Sequence, residues 1–155
     1  MMTVAHRHYI VIETLISIAI NTMISACIAW LVFGGAASVS SRSLVLDAAP
    51  QSFMIVLMSV VVPGILTRRR MARGQIAPIA GPRPRYSLAA RAIAMAMISA
   101  VAGVALHAVL LGFLTPEVWG LRHAIALKAA YGAVLAAAVT PTMLRYALRS
   151  VTEPV

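Results

Sequence analysis

Four apolar runs decide what this chain can become. They cover about 9–33, 50–67, 88–114 and 118–148, and each approaches or exceeds the length that crosses a bilayer. A hydrocarbon core of roughly 30 Å takes about 20 helical residues, so the second run is short for a span and the fourth long. Only 11% of the 155 residues are charged and 61% are hydrophobic. A soluble domain carries roughly 25% charged residues, so that class is excluded. The expected fold is all-α: a polytopic membrane protein with four transmembrane helices.

The largest interruption, about 68–87, is rich in Pro, Gly and Arg and has no apolar periodicity, so it reads as a linker within a single domain, 1–155. Arg7, Arg68, Arg69, Arg70, Arg73, Arg83, Arg85, Arg91, Arg145 and Arg149 fall on one side of a four-span arrangement. Arg42, Arg122 and Lys128 fall toward the other. The positive-inside rule then makes both termini and the linker cytoplasmic, in an inner (cell) membrane. Tyr9 and Tyr86 mark the inner interface, Trp119 and Tyr131 the outer one. The basic strip Arg68, Arg69, Arg70 and Arg73 is expected to meet anionic lipid headgroups, each arginine contributing about 1 kcal/mol.

The single cysteine, Cys27, rules out an intrachain disulfide. Ile24, Ser25, Ala26 and Cys27 resemble a lipoprotein cleavage box, but Glu13 and Asn21 interrupt the apolar stretch before it and "IAWLVF" extends the span beyond it. An uncut first helix is expected.

An internal repeat is legible. "MISACIAWLVFG" from Met23 and "MISAVAGVALHA" from Met97 open alike at an offset of 74. "FMIVLMSVVVPGIL" from Phe53 aligns with "YGAVLAAAVTPTML" from Tyr131 at an offset of 78. Two two-helix repeats, about 9–70 and 86–149, are expected, and an even number of spans in each makes them parallel. Each unit closes on proline before arginine, "PGILTRRR" and "PTMLRYALR". Pro63 and Pro141 crowd the carbonyls of Ser59 and Ala137, so kinks are expected near the cytoplasmic surface.

A helix with a Met-Ile-Ser core, followed by one closing on proline before arginines, resembles the two-helix module of a family of uncharacterised bacterial inner-membrane proteins, a domain-of-unknown-function family. The resemblance covers about 15–70 and, more faintly, 89–149. It implies the fold and assigns no activity.

Glu13, Ser17, Asn21 and Ser25 recur every fourth residue of the first run. Such a ridge is about 18 Å long and cannot cheaply face lipid. The offset of 74 sets Ser25 on Ser99 and the thirty-third residue on His107, so the ridge is expected to face the third helix. Helix packing is the plainer reading for Ser17, Asn21, Ser25 and Ser99; a polar pathway is the other. Glu13 is expected to pair with Arg91, with snorkelling and a protonated carboxyl as alternatives. His107 and Lys128 have similar depth near the outer end, where histidine can be a bonded core residue and lysine can snorkel.

His6 and His8 lie near the start and His123 at the far side, so no metal set closes, and no cofactor motif is present. Catalytic and nucleic-acid-binding patterns are absent too. The sequence therefore points to a non-enzymatic scaffold or accessory subunit of a membrane assembly, homo-oligomeric or larger. The alternative is a small oligomeric transporter or channel for protons or small ions using Glu13, Asn21, Arg91, His107 and Lys128.

Overall fold

The structure, a computed structural model, describes residues 2–79, 86–113 and 117–149. Arg83 and Arg85 of the linker, and the last residue of the third apolar run, lie outside them. Four helices form: α1 (Val4–Phe33), α2 (Ser41–Ala72), α3 (Leu88–Phe113) and α4 (Leu121–Arg149). The shortest has 26 residues and the longest 32, and all four are long and apolar enough to cross a membrane. The strands β1 (Val39–Ser40) and β2 (Val118–Trp119) pair antiparallel, with Val39 opposite Trp119 and Ser40 opposite Val118. That bridge joins the α1–α2 and α3–α4 loops at one end of the bundle. The arginine-rich end lies opposite.

Local chemistry explains the helix limits. Thr3 caps α1: its hydroxyl accepts from His6 N, and the Thr3 N–H donates to His6 Nδ1 at 3.2 Å. With Nδ1 accepting, Nε2 carries the proton and donates to the Ala77 carbonyl at 2.8 Å. His6 is thus a buried clamp on the chain after α2.

α2 is the larger correction, because it begins at Ser41 instead of near residue 50. Ser40 caps it through Ser43 N at 3.1 Å, and Trp119 Nε1 donates to Ser41 Oγ at 3.0 Å. The added turns bury Leu44 and Ala48 completely. Pro50 does not stop the helix; the carbonyl it leaves unbonded is that of Leu46, an exposed position. At the other end Gly74, at φ 70°, takes the left-handed conformation that closes α2, and Gln75 N reaches the Arg70 carbonyl at 2.9 Å. α2 also runs on through Pro63, and α4 through Pro141.

The linker is more than a basic strip. Arg68, Arg69 and Arg70 belong to α2 itself, and residues after Gly74 fold back over the bundle end. There Ile79 is buried with Ile10, Leu144 and Leu148, and its N–H donates to the Leu148 carbonyl at 2.9 Å.

The helices are interlocked. α1 lies along α4, α3 lies along α2, and α2 and α4 lie against each other, whereas α1 barely touches α2. Val56 and Val60 of α2 meet Val139 and Met143 of α4 together with Ala92 and Ala96 of α3. The central pair therefore runs parallel. Phe33 and Ala29 of α1 join Leu44, Leu111 and Ala124 beneath the strand bridge. The outer faces remain apolar and uncovered, as at Leu15, Met23, Leu31, Ile98 and Val101. Those faces suit acyl chains.

This arrangement overturns the expected meeting of the first and third helices. The ridge of α1 faces α4 and α2, because α4 offers small residues on which α1 can lie close. Ser25 abuts Gly132, where an added Cβ would come within 3.0 Å of the Ser25 Cβ. In the other half Gly103 of α3 abuts Ser52 of α2. Each outer helix thus meets an inner one through a serine against a glycine. Matching Ser25 with Gly103 sets the outer helices at an offset of 78, one turn away from the offset that aligns the two Met-Ile-Ser segments.

Candidate polar groove

The α1 ridge is buried along its whole length: Glu13, Ser17, Asn21 and Ser25 are all inside. Threonines flanking it, Thr14 and Thr22, satisfy their hydroxyls on their own helix, donating to the Ile10 and Ile18 carbonyls. The ridge residues instead reach across. Ser17 Oγ and Thr140 Oγ1 share a hydrogen bond of 2.9 Å. Asn21 Nδ2 donates to the Ser17 carbonyl at 2.8 Å and to Ser59 Oγ of α2 at 3.2 Å. These bonds fix the azimuth of α1 and set its polar side against both central helices.

Glu13 pairs with Arg70, not Arg91. The reason is the longer α2, which carries Arg70 past the end of the apolar run and back beside α1. Arg70 also lies 5.3 Å from the Tyr9 ring centroid. Arg91, on α3, stands over the Tyr146 ring at 4.2 Å. Arg69 and Arg73 are exposed.

At the bridge end Lys128 is fully buried, so it does not snorkel. Its Nζ donates to the Leu44 carbonyl at 2.9 Å and meets Asp47 Oδ2 at 3.0 Å. Asp47 is the residue the sequence reading missed, because it preceded the apparent start of the second span. A signal existed: the chain has only four acidic residues, and Asp47 shares a helical face with Leu44 and Gln51. Gln51 Nε2 donates to the Lys128 carbonyl at 2.9 Å, adding a second tie between α2 and α4.

His107 lies apart from Lys128's ion pair. Its Nδ1 donates to the Gly103 carbonyl at 2.9 Å, and its ring meets Tyr131 edge-on at 4.5 Å between centroids. Ser52 Oγ donates to the Ala48 carbonyl, so in its 2.7 Å contact with Tyr131 the phenol is the donor. Ser99 is half-buried on the same helix as His107.

Because α1 and α2 stand apart, a groove runs between them. Its half nearer the bridge is a cavity of about 250 Å³ reached by Asn21, Ser25, Asp47 and Gln51, with Met54 and Met58 among its apolar walls. The half nearer the basic end holds about 160 Å³ and is lined by Glu13, Ser17, Asn21 and Pro63, among others. Asn21, Ile24 and Met58 border both. No residue of α3 lines either half, so Arg91, Ser99 and His107 are outside the groove, and Lys128 touches it only through Asp47 and Gln51. Gln51 Oε1, beside the groove, is buried without a partner, as is Ser25 Oγ, which is turned toward Gly132 in the α1–α4 seam. Among the described residues no three His, Cys, Asp or Glu side chains converge as a metal set.

Fold and site together define a four-helix, multi-pass membrane protein with a mainly apolar groove, bordered by a few polar side chains, on one flank. No protein-family model, curated protein or solved structure matches the chain.

Proposed function

We propose that this protein is a non-enzymatic scaffold or accessory subunit of an inner-membrane assembly, and that the α1–α2 groove is where a partner helix docks. The observation that carries this reading is Gln51 Oε1, buried without a partner beside a groove in the membrane-spanning region. An acyl chain has no hydrogen-bond donor to give it, and an unmet polar group in hydrocarbon costs several kcal/mol. The occupant is therefore an apolar transmembrane helix carrying a side-chain donor, such as Ser, Thr, Asn or Gln, at the depth of Gln51. Met54 and Met58 give the walls the adaptability that suits a packed helix. The arginine bias supports cytoplasmic termini, and exposed Arg69 and Arg73 suit contact with anionic headgroups. The equivalent pairings of α1 with α4 and of α3 with α2 favour descent from a duplicated two-helix unit, its copies parallel in the membrane.

A photocrosslinking amino acid at Met54, with one at lipid-facing Ile98 as control, tests the docking. Met54 should capture one defined subunit through a donor-bearing helix, and Gln51→Leu should weaken that capture several-fold. Capture of lipid alone, capture equal to that at Ile98, or a yield indifferent to that substitution would sink the reading. A crosslinked homodimer would replace the partner subunit with a second copy.

The transporter reading draws on one feature, the presence of carboxylates toward both ends of the groove, Glu13 and Asp47, with Asn21 between. It predicts proton or ion flux in liposomes that falls to the protein-free baseline in Glu13→Gln. Parent protein already at that baseline removes it.

A further inference from the structure

We propose that Arg91 and Tyr146 form a binding site for the phosphate of an anionic phospholipid, distinct from the helix-docking groove. The Arg91 guanidinium lies over the Tyr146 ring at 4.2 Å, and its Nε is buried without a hydrogen-bond partner. The ring is itself fixed, since the Tyr146 hydroxyl donates to the Tyr86 carbonyl just before α3. This cation is thus desolvated on one side and held in place, yet it has no counter-ion among the described residues.

The acidic residues leave none to spare. Glu13 is taken by Arg70 and Asp47 by Lys128, while Glu117 sits in the opposite loop, where its carbonyl accepts from Ser41 N. Glu153, the fourth acid, lies outside the described residues. Among the described residues no carboxylate reaches Arg91. A guanidinium with an aromatic face beneath it still offers its edge N–H groups, and that fork fits two phosphate oxygens.

The surroundings choose the source of the phosphate. Beyond Arg91 the same helix exposes Ile93, Met97 and Ile98, a surface for acyl chains, so an anion arriving with its own hydrocarbon gains contacts that free phosphate does not. Tyr86, exposed beside it, belongs to the class of residue that collects at the headgroup level. Arg122, exposed at the bridge end, carries the same charge away from this surface, which makes it the natural control.

The test is native mass spectrometry of the full chain in detergent, titrated with phosphatidylglycerol, with phosphatidylcholine, and with inorganic phosphate added as competitor. Parent protein should retain one phosphatidylglycerol in preference to phosphatidylcholine by about tenfold in apparent affinity. Arg91→Gln should erase that preference, Arg91→Lys should keep part of it, and Arg122→Gln should leave it nearly unchanged. Circular dichroism and gel filtration establish that each variant is folded; should Arg91→Gln fail, Tyr146→Leu serves in its place with the same expected loss. The proposal is overturned by equal retention in the parent and both site variants, by an equal loss in Arg122→Gln, or by millimolar inorganic phosphate displacing the lipid completely.

Discussion

At the scale of single residues, the costliest feature is the Lys128 ammonium, buried at 0% exposure and held by Asp47 and the Leu44 carbonyl. A charge so placed is tolerable only while both partners remain. Asp47→Asn should therefore lower stability by about 3 to 5 kcal/mol, because it strands the lysine. The double change Asp47→Asn with Lys128→Met should lose much less than the sum of the single changes. Thermal unfolding in detergent reads both, and strictly additive losses would show that the pair is not coupled. Glu13 differs, since its partner Arg70 is 39% exposed and water shares that ion pair. Glu13→Gln should cost under about 1 kcal/mol. The sequence makes Glu13 conspicuous and hides Asp47, because a carboxylate deep in an apolar run stands out while one before an apparent span start reads as loop. Pairing of Asp47 with Lys128 depends on how α2 and α4 meet, which no local pattern encodes.

At the scale of elements, the α1–α4 seam depends on how closely the backbones approach at Gly132. A side chain there would press on Ser25, so Gly132→Val should destabilise by about 1 to 3 kcal/mol through overpacking. Ser25→Gly in the same chain should recover part of that loss, whereas Ser99→Gly, on α3, should recover none. Thermal unfolding of the three variants decides it, and rescue by Ser99→Gly would place the clash elsewhere. The ridge Glu13, Ser17, Asn21 and Ser25 was readable because four-residue spacing keeps polar groups on one slowly winding side. Its destination was not readable. A hydrophilic helix face names a need for partners, and α3, α4 or water could each have met it; small residues on α4 settled the choice. The repeated Met-Ile-Ser segment suggested a register one turn from the one the contacts adopt, since residue identity in an apolar helix is a weaker marker of position than the step at which a small residue must face a hydroxyl.

At the scale of the whole molecule, four apolar runs were enough to specify an all-α membrane fold, because a spanning backbone must satisfy its own hydrogen bonds. They could not specify which helices touch. Hairpin connectivity suggests that α1 should pack on α2, yet the extensive contacts are α1 with α4 and α3 with α2, so each half leaves its polar side open until the other arrives. Neither half is then a complete folding unit. Alone, residues 1–79 would expose Ser17, Asn21 and the Glu13 side of α1 to lipid or to a wrong partner, and residues 86–155 would strand Lys128 without Asp47. A chain divided between residues 79 and 86 and expressed as two pieces should therefore yield little of either piece alone and a stable complex when both are made together. Asp47→Asn in the first piece should reduce recovery of the complex, since it removes the counter-ion that the second piece requires. Equal accumulation of each piece by itself would mean that the hairpins close on their own and that the crossed packing is not what holds the molecule together.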